Sequence, residues 1–322
     1  MSEQGQDVLV ELNAVIVAVD QDTPKILTVD FSGTAANDGV RLPSGSLDPS
    51  RDRTLDLSLR RWVQEQTALE LGYIEQLYTF GDRDRIVDVK ERVLSIAYLA
   101  LTRQEQGSIA NSARWTPWYD FLPWEDWRNG APEVIGLAIV PALLQWADAA
   151  PAPLICEQRR ERIAISFGVE DAPWDPVRVL ERYELLYEAH LIRESNEIIG
   201  AVVGEHLLFG AAMDLDHRRI VATAMSRLRG KLTYRPVVFE LLSSTFTLSS
   251  LQRVVEALAG VRLHKPNFRR LVEQAQLVEG TGRVDPLTGG RPAELFQFRR
   301  EVLRERPAPG VVLPRRSHVR LG

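Results

Sequence analysis

The first regular pattern along the chain is a β-branched apolar run, Val8–Val19. Leu9, Val10, Leu12, Val15, Val17 and Val19 in that run predict a strand. Lys25–Phe31 predicts a second strand, joined to the first through a turn at Gln21–Pro24. Arg41–Pro49 contains Pro, Gly and Ser and reads as a loop. In Leu55–Leu69 apolar residues fall at 55, 59, 63 and 69 with polar residues between, the spacing of one helix face. Tyr73–Phe80 and Arg92–Leu101 predict further strands. This β-then-helix-then-β order predicts a mixed α/β layer ending near Pro132.

The next stretch, Glu133–Ala212, reads as mostly helical. Val134–Trp146 predicts one helix, Ala150–Leu154 a Pro/Ala-rich linker, and Val177–Leu191 a helix with apolar residues at 179, 180, 183, 186, 187 and 191. Trp174, Tyr183 and Tyr187 are assigned to the core. Leu215–Lys231 predicts a longer helix. Asp214 or Asp216 is placed to cap it, Ile220, Ala224 and Leu228 share a face, and Arg227, Arg229 and Lys231 sit at the favoured C-terminal end. Short helices follow at Pro236–Leu242 and Leu248–Ala259, the second with Thr247 as N-cap and Gly260 just past its end. Pro266 suits the first turn of a third helix, Pro266–Ala275. Glu279–Arg300 predicts a two-stranded ribbon around a loop with Gly280, Gly282, Gly289 and Gly290, Phe296 and Phe298 alternating with Gln297. Three short helices and a ribbon form a winged helix-turn-helix pattern.

Charge separates the two halves. Met213–Gly322 carries 20 Lys+Arg and 10 Asp+Glu, a net of +10; Met1–Ala212 carries 19 and 34, a net of −15, so the total of −5 conceals a basic half. A basic half beside an acidic one is the distribution expected when one half meets a polyanion. One cysteine, Cys156, excludes an intramolecular disulfide and a Cys-rich zinc site. Met1–Asn13 lacks the apolar segment of a signal peptide, and Val134–Trp146, the longest apolar stretch, falls short of the ~20 residues a membrane span needs. A cytoplasmic location is expected, with no metal and no cofactor.

The third helix of the basic half has two faces. Phe268, Leu271, Val272 and Ala275 are suited to packing, and Asn267, Arg269, Arg270 and Gln274 are left outside. Arg forks onto guanine and Asn onto adenine in the major groove of double-stranded DNA. His264 and Lys265 precede the helix where phosphate contacts are favoured, and Arg283 and Arg291 flank the ribbon tip. The expected DNA-binding set is therefore Lys265, Asn267, Arg269, Arg270, Gln274, Arg283 and Arg291.

The run "YRPVVFELLSSTFTLSSLQRVVEALAGVRLHKPNFRRLVEQAQ", Tyr234–Gln276, closely resembles the winged helix of the Nudix-related regulators of NAD metabolism, the NrtR/NadQ group. "LDHRRIVATAMSRLRGKLTYRP" resembles the helix that joins the two domains in that group. In the N-terminal half, "LPSGS…RRWVQEQTAL" stands where a Nudix box belongs, and "YIEQLYTFGD…VLSIAYLAL" resembles the strand pair after it. The stretch Glu133–Ala212 is an insertion that resembles the longer NadQ-type members. The implied fold is α+β: an N-terminal Nudix-like α/β/α sandwich with a mixed sheet (1–132), a mostly helical insertion (133–212), a linker helix plus winged helix-turn-helix (213–305) and a basic tail (306–322).

The working Nudix box, G-x5-E-x7-R-E-U-x-E-E-x-G-U with U apolar, gathers its glutamates on one helix face to hold divalent metal against a diphosphate. Aligned on Arg61, this chain has Trp62, Glu65 and Gln66 at the three helix glutamates, Ala68 at the second glycine, and Gly45 two residues too far upstream. A pocket without hydrolysis is the expectation, with Arg41, Ser44, Gly45, Arg61, Glu65 and the cluster Asp82, Arg83 and Arg85 as candidate effector-binding residues. The resemblance implies a repressor of NAD-biosynthesis or salvage genes that binds a palindromic operator as a homodimer and answers to a nucleotide such as ADP-ribose, NAD or ATP. The alternative is an active Nudix hydrolase with an appended DNA-binding domain.

Overall fold

β1 (Val8–Asp20) is the centre of a mixed sheet. In this computed structural model the described residues are 8–32, 38–82, 92–103, 109–110, 112–195, 209–285, 292–305 and 310–311. β1 pairs antiparallel with β2 (Thr23–Ser32) through a two-residue turn, and β3 (Asp38–Arg41) extends the sheet beyond β2. On the other side β1 runs parallel to β6 (Arg92–Leu101), which pairs antiparallel with β5 (Tyr73–Phe80). β4 (Ser44–Ser46) adds to β1, and β7 (Ala113–Pro117) to β2. Every residue from Leu12 to Ala18 is fully buried. Burial on both faces is why this strand reads as a continuous apolar run rather than an alternating one.

Helix α1 (Leu55–Thr67) buries Leu59 and Val63 against Leu12, Ala14 and Ile16 on one face of the sheet. Thr54 caps it, accepting from Leu57 N–H. The other face of β1, Val15 and Val17, packs in a larger core with Ile220, Ala224 and Leu228 of α6 (His217–Leu232). Between these lie α2 (Trp118–Phe121), a π-helical turn at Ile135–Ile139, α3 (Val140–Asp148), α4 (Pro153–Phe167) and α5 (Val179–Glu188). Among the described residues no helix is long and apolar enough to cross a membrane.

Three local expectations need correction. Arg41–Pro49 is not wholly loop, because it holds the end of β3 and all of β4. The β1–β2 pairing covers only Val17–Asp20 of β1, so the backbone at Glu11–Asn13 needs another partner, and β4 supplies it. Ala150–Leu154 is not wholly linker, because α4 begins at Pro153. Proline in the first helical turn loses no intrahelical hydrogen bond. Asp216 occupies the N-cap position of α6 without a side-chain cap bond; its carboxylate meets Arg219 at 3.1 Å instead.

The C-terminal unit contains a 3-10 turn (Val237–Leu241), α7 (Leu248–Ala259), α8 (Lys265–Gln274) and a ribbon of β8 (Val278–Asp285) and β9 (Ala293–Phe298). Thr247 and Ser250 close a reciprocal capping box on α7, both bonds 3.0 Å. Phe246 exchanges two backbone hydrogen bonds with Phe296, a single bridge on the edge of the ribbon. Phe239 stacks on Phe298 with ring centroids 4.4 Å apart. The core of this unit, including Leu251, Leu258 and Phe268, is continuous with that under the sheet.

Candidate effector pocket and nucleic-acid interface

At the Nudix-box position α1 faces β4. The space in front of Gly45 is filled by the Trp62 indole: a Cβ on Gly45 would lie 2.1 Å from Trp62 Cδ2. Trp62 Nε1 donates to Ser46 O at 3.0 Å. The Gln66 amide grips the backbone of Ser44 from both sides, accepting from its N–H at 3.1 Å and donating to its carbonyl at 2.5 Å. Glu65 is half exposed and 3.6 Å from Arg61. Arg61 forks onto Asp52 through Nη2 at 2.9 and 3.1 Å and, with Ser58, holds that carboxyl down at about 2. Two of the three metal positions thus hold side chains already committed to β4, and neither is a carboxylate. This set does not fit a divalent cation.

Arg41 lies next to the N-terminus of α6, whereas Ser44 and Gly45 are held against Gln66 and Trp62 of α1. Arg41 ion-pairs with Asp214, and Leu42 N–H donates to His217 Nδ1 at 3.0 Å. Burial, reinforced by the Arg41 charge, pushes the His217 imidazole down to about 4, so it is neutral with its proton on Nε2. Glu11 on β1 lies beside Ser44. Burial pushes its carboxyl up, while a hydrogen bond from Ser44 and the charge of Arg41 pull the other way. Asn13 is fully buried, and its amide finds no partner among the described residues. Glu11, Asn13 and His217 were not singled out from sequence, and Asp214 was named only as a candidate helix cap; strand pairing and the packing of α6 bring them together. Asp82 pairs with Arg219 of α6. Arg83 and Arg85 lie outside the described residues.

A buried charge cluster ties the sheet domain to the winged helix. Glu125 accepts from Arg182 Nε at 2.5 Å and Nη2 at 2.9 Å, and from Arg229 Nη1 at 2.5 Å. Arg229 also donates to Leu258 O at 3.0 Å, at the end of α7. Gly260 follows that end with φ 70, and a side chain there would meet Glu125 O at 2.4 Å. Glycine is therefore required both for the left-handed cap and for the close approach.

On the winged helix, Phe268 and Val272 of α8 are buried, while Lys265, Asn267, Arg269, Arg270 and Gln274 are exposed. Arg283 is exposed on β8; Arg291 and the basic tail beyond Val311 lie outside the described residues. Lys265 and Arg269 line a groove of about 940 Å³ that runs between α8, the start of α7 and β9. Arg253 of α7 joins them there and was not anticipated.

These features define a class: a Nudix-type α/β/α sandwich with a box that lacks two of its three metal carboxylates, joined through one helix to a winged helix. Residues 238–298 match the family of the NrtR DNA-binding winged helix domain. A relative from Acinetobacter baylyi, an ADPR responsive transcriptional repressor NtrR, is 35% identical over 83 residues. That stretch is 26% of this chain and spans about a third, 33%, of the relative's length. The crystal structure of Shewanella oneidensis NrtR complexed with a 27mer DNA aligns with TM-score 0.56 and 22% identity, over 92% of this chain and 95% of that one. A MutT/nudix family protein from Enterococcus faecalis aligns with TM-score 0.54 and 17% identity, over 93% and 89%. The two-part fold expected from the sequence is the fold of these two structures.

Proposed function

We propose that the chain is a DNA-binding transcriptional repressor of NAD-biosynthesis or salvage genes, acting in the cytoplasm as a homodimer. Its Nudix-like domain binds a nucleotide effector and hydrolyses nothing. The observation that carries the reading is the face of α8 inside the NrtR-type winged helix, where Asn267, Arg269 and Arg270 stand exposed around a buried Phe268. Such a helix reads base edges in the major groove, and two copies on a two-fold axis read a palindrome. The Acinetobacter relative responds to ADPR, which makes ADP-ribose the first effector to test. Trp62 and Gln66 in place of carboxylates argue against the alternative of a hydrolase.

A gel shift tests this with a duplex enriched on the chain from a random library. The expected result is a retarded band whose intensity changes with millimolar ADP-ribose. A tenfold change in affinity corresponds to ~1.4 kcal/mol of coupling, within the range typical of two linked sites. Failure to enrich any duplex overturns the DNA reading. A band that ADP-ribose, NAD and ATP all leave unchanged overturns the sensor.

A further inference from the structure

We propose that the β1–β2 turn of the Nudix-like domain is itself part of the DNA interface, with Gln21 contacting the sugar-phosphate backbone. This rests on the DNA-binding reading above and adds to it a surface from the other domain. The groove that Lys265 and Arg269 of α8 share with Arg253 of α7 is not confined to the winged helix. Val19 and Gln21 also line it. Its cations lie on α7 and the N-terminal half of α8. Its carboxylates, Glu273, Asp285 and Glu294, belong to the C-terminal half of α8 and to the ribbon. A phosphate strand is drawn to the first set and away from the second. α7 packs on β2, which places the turn beside that first set.

The turn is held firmly and presents one free group. Val19 packs against the common core. Asp20 is paired with Lys25 at 2.8 Å, and the Asp22 carbonyl takes a hydrogen bond from Arg128, which itself grips Asp126 at 2.7 Å. Asp20 therefore has its counter-ion, the backbone at Asp22 is pinned by Arg128, and the side chain exposed between the two acids is a neutral amide. Gln21 adopts φ 56, a left-handed conformation that glycine takes without steric cost. Glutamine there brings a carboxamide that donates to phosphate oxygens, the kind of contact that fixes register without reading sequence. Because the sheet and the winged helix share one core, DNA that enters the groove meets both domains together.

The test uses the duplex enriched on the wild-type chain and a scrambled duplex, with fluorescence anisotropy across a salt series. Gln21→Gly deletes the amide where the backbone favours glycine, and it weakens both duplexes by roughly fivefold, the loss of about one hydrogen bond. Gln21→Lys tightens both and steepens the salt slope by about one unit. Glu170→Gln adds the same charge at another exposed left-handed turn that does not line the groove, and it leaves the slope as in wild type. Melting curves verify that each variant is folded. The inference is overturned if Gln21→Gly binds like wild type, or if Gln21→Lys moves the slope no more than Glu170→Gln, while Arg270→Ala still loses operator binding. If the wild-type chain enriches no duplex, the DNA reading fails and this inference falls with it.

Discussion

The indole of Trp62 occupies the space in front of Gly45, so closely that a methyl group on that glycine would lie 2.1 Å from Cδ2. Strand β4 and helix α1 are thus locked by an apolar plate and by the Gln66 clamp on Ser44. Two of the three box positions that gather metal in a working Nudix protein have become packing positions here.

Gly45→Ala forces that indole out of place. The expected cost is ~1–3 kcal/mol, the usual penalty for overpacking a tight site. Urea denaturation measures it. A variant as stable as wild type shows that Trp62 moves freely and does not lock the loop.

Hydrolysis is the next test. Hydrolysis of ADP-ribose with Mg²⁺, read as phosphate that an added phosphatase frees from the AMP and ribose 5-phosphate formed, is expected to match a no-protein blank. Clear metal-dependent turnover that disappears in Glu65→Ala would falsify the assignment of α1 as a non-catalytic helix.

The Glu125 carboxylate is bound by two buried guanidiniums, Arg182 and Arg229. Glu125→Gln removes the carboxylate that both bind in a dry site. The expected destabilisation is ~3–5 kcal/mol. Because Arg229 also holds the end of α7, the melting transition of the winged helix is expected to fall together with that of the sheet domain. Two separated transitions in calorimetry would show that the cluster does not join them.

His217 makes stability depend on acid. Its folded value, about 4, lies below the 6.5 of a free imidazole, so the unfolded chain binds the extra proton first. Stability from this group is complete above about 6.5 and is lost as pH falls towards 4; the shift amounts to ~3 kcal/mol. Protonation also removes the acceptor that Leu42 N–H uses. His217→Asn keeps an acceptor oxygen near the position of Nδ1 and cannot titrate. Its melting temperature is expected to fall less than that of wild type between pH 7 and pH 4.5. An equal fall in both proteins would remove His217 from the acid response.

Substitutions on α8 are expected to fail in two ways. Losing a base contact by Asn267→Ala, Arg269→Ala or Arg270→Ala costs ~1–3 kcal/mol on the enriched duplex and relaxes preference at one position. Losing a phosphate contact by Lys265→Ala weakens every duplex alike and lowers the salt slope by about one unit. If all three of the first group bind the enriched duplex as wild type does, α8 does not lie in the groove of the DNA.

By itself the sequence determined those elements whose signals are local. The apolar run of β1, the helical spacing of Leu59 and Val63 in α1, the Thr247 cap and Gly260 stop of α7, and the two faces of α8 all appear where the pattern puts them. The loss of two box carboxylates was also legible, because a substitution at a motif position needs no coordinates to be seen. β7 and α4 were not legible. β7, "ARWTP", is short and polar and gains strand form only from β2, and α4 buries just Ile163, Ser166 and Phe167, all near its end.

Only the tertiary structure decided the fate of the charges. Arg41 was expected in an effector pocket and is tied to Asp214, 173 residues away; Arg229 was expected to serve the C-terminal dipole of its helix and is buried on Glu125, 104 residues away. Sequence shows that a guanidinium is present, but whether water, a carboxylate or a ligand surrounds it depends on which layers stack over it. The same holds for Gln21, an ordinary turn residue in the chain, which the packing of α7 on β2 delivers to the groove beside Arg269. Local propensity spans a few residues, whereas desolvation and ion pairing are set by neighbours that the chain brings back from far along its length.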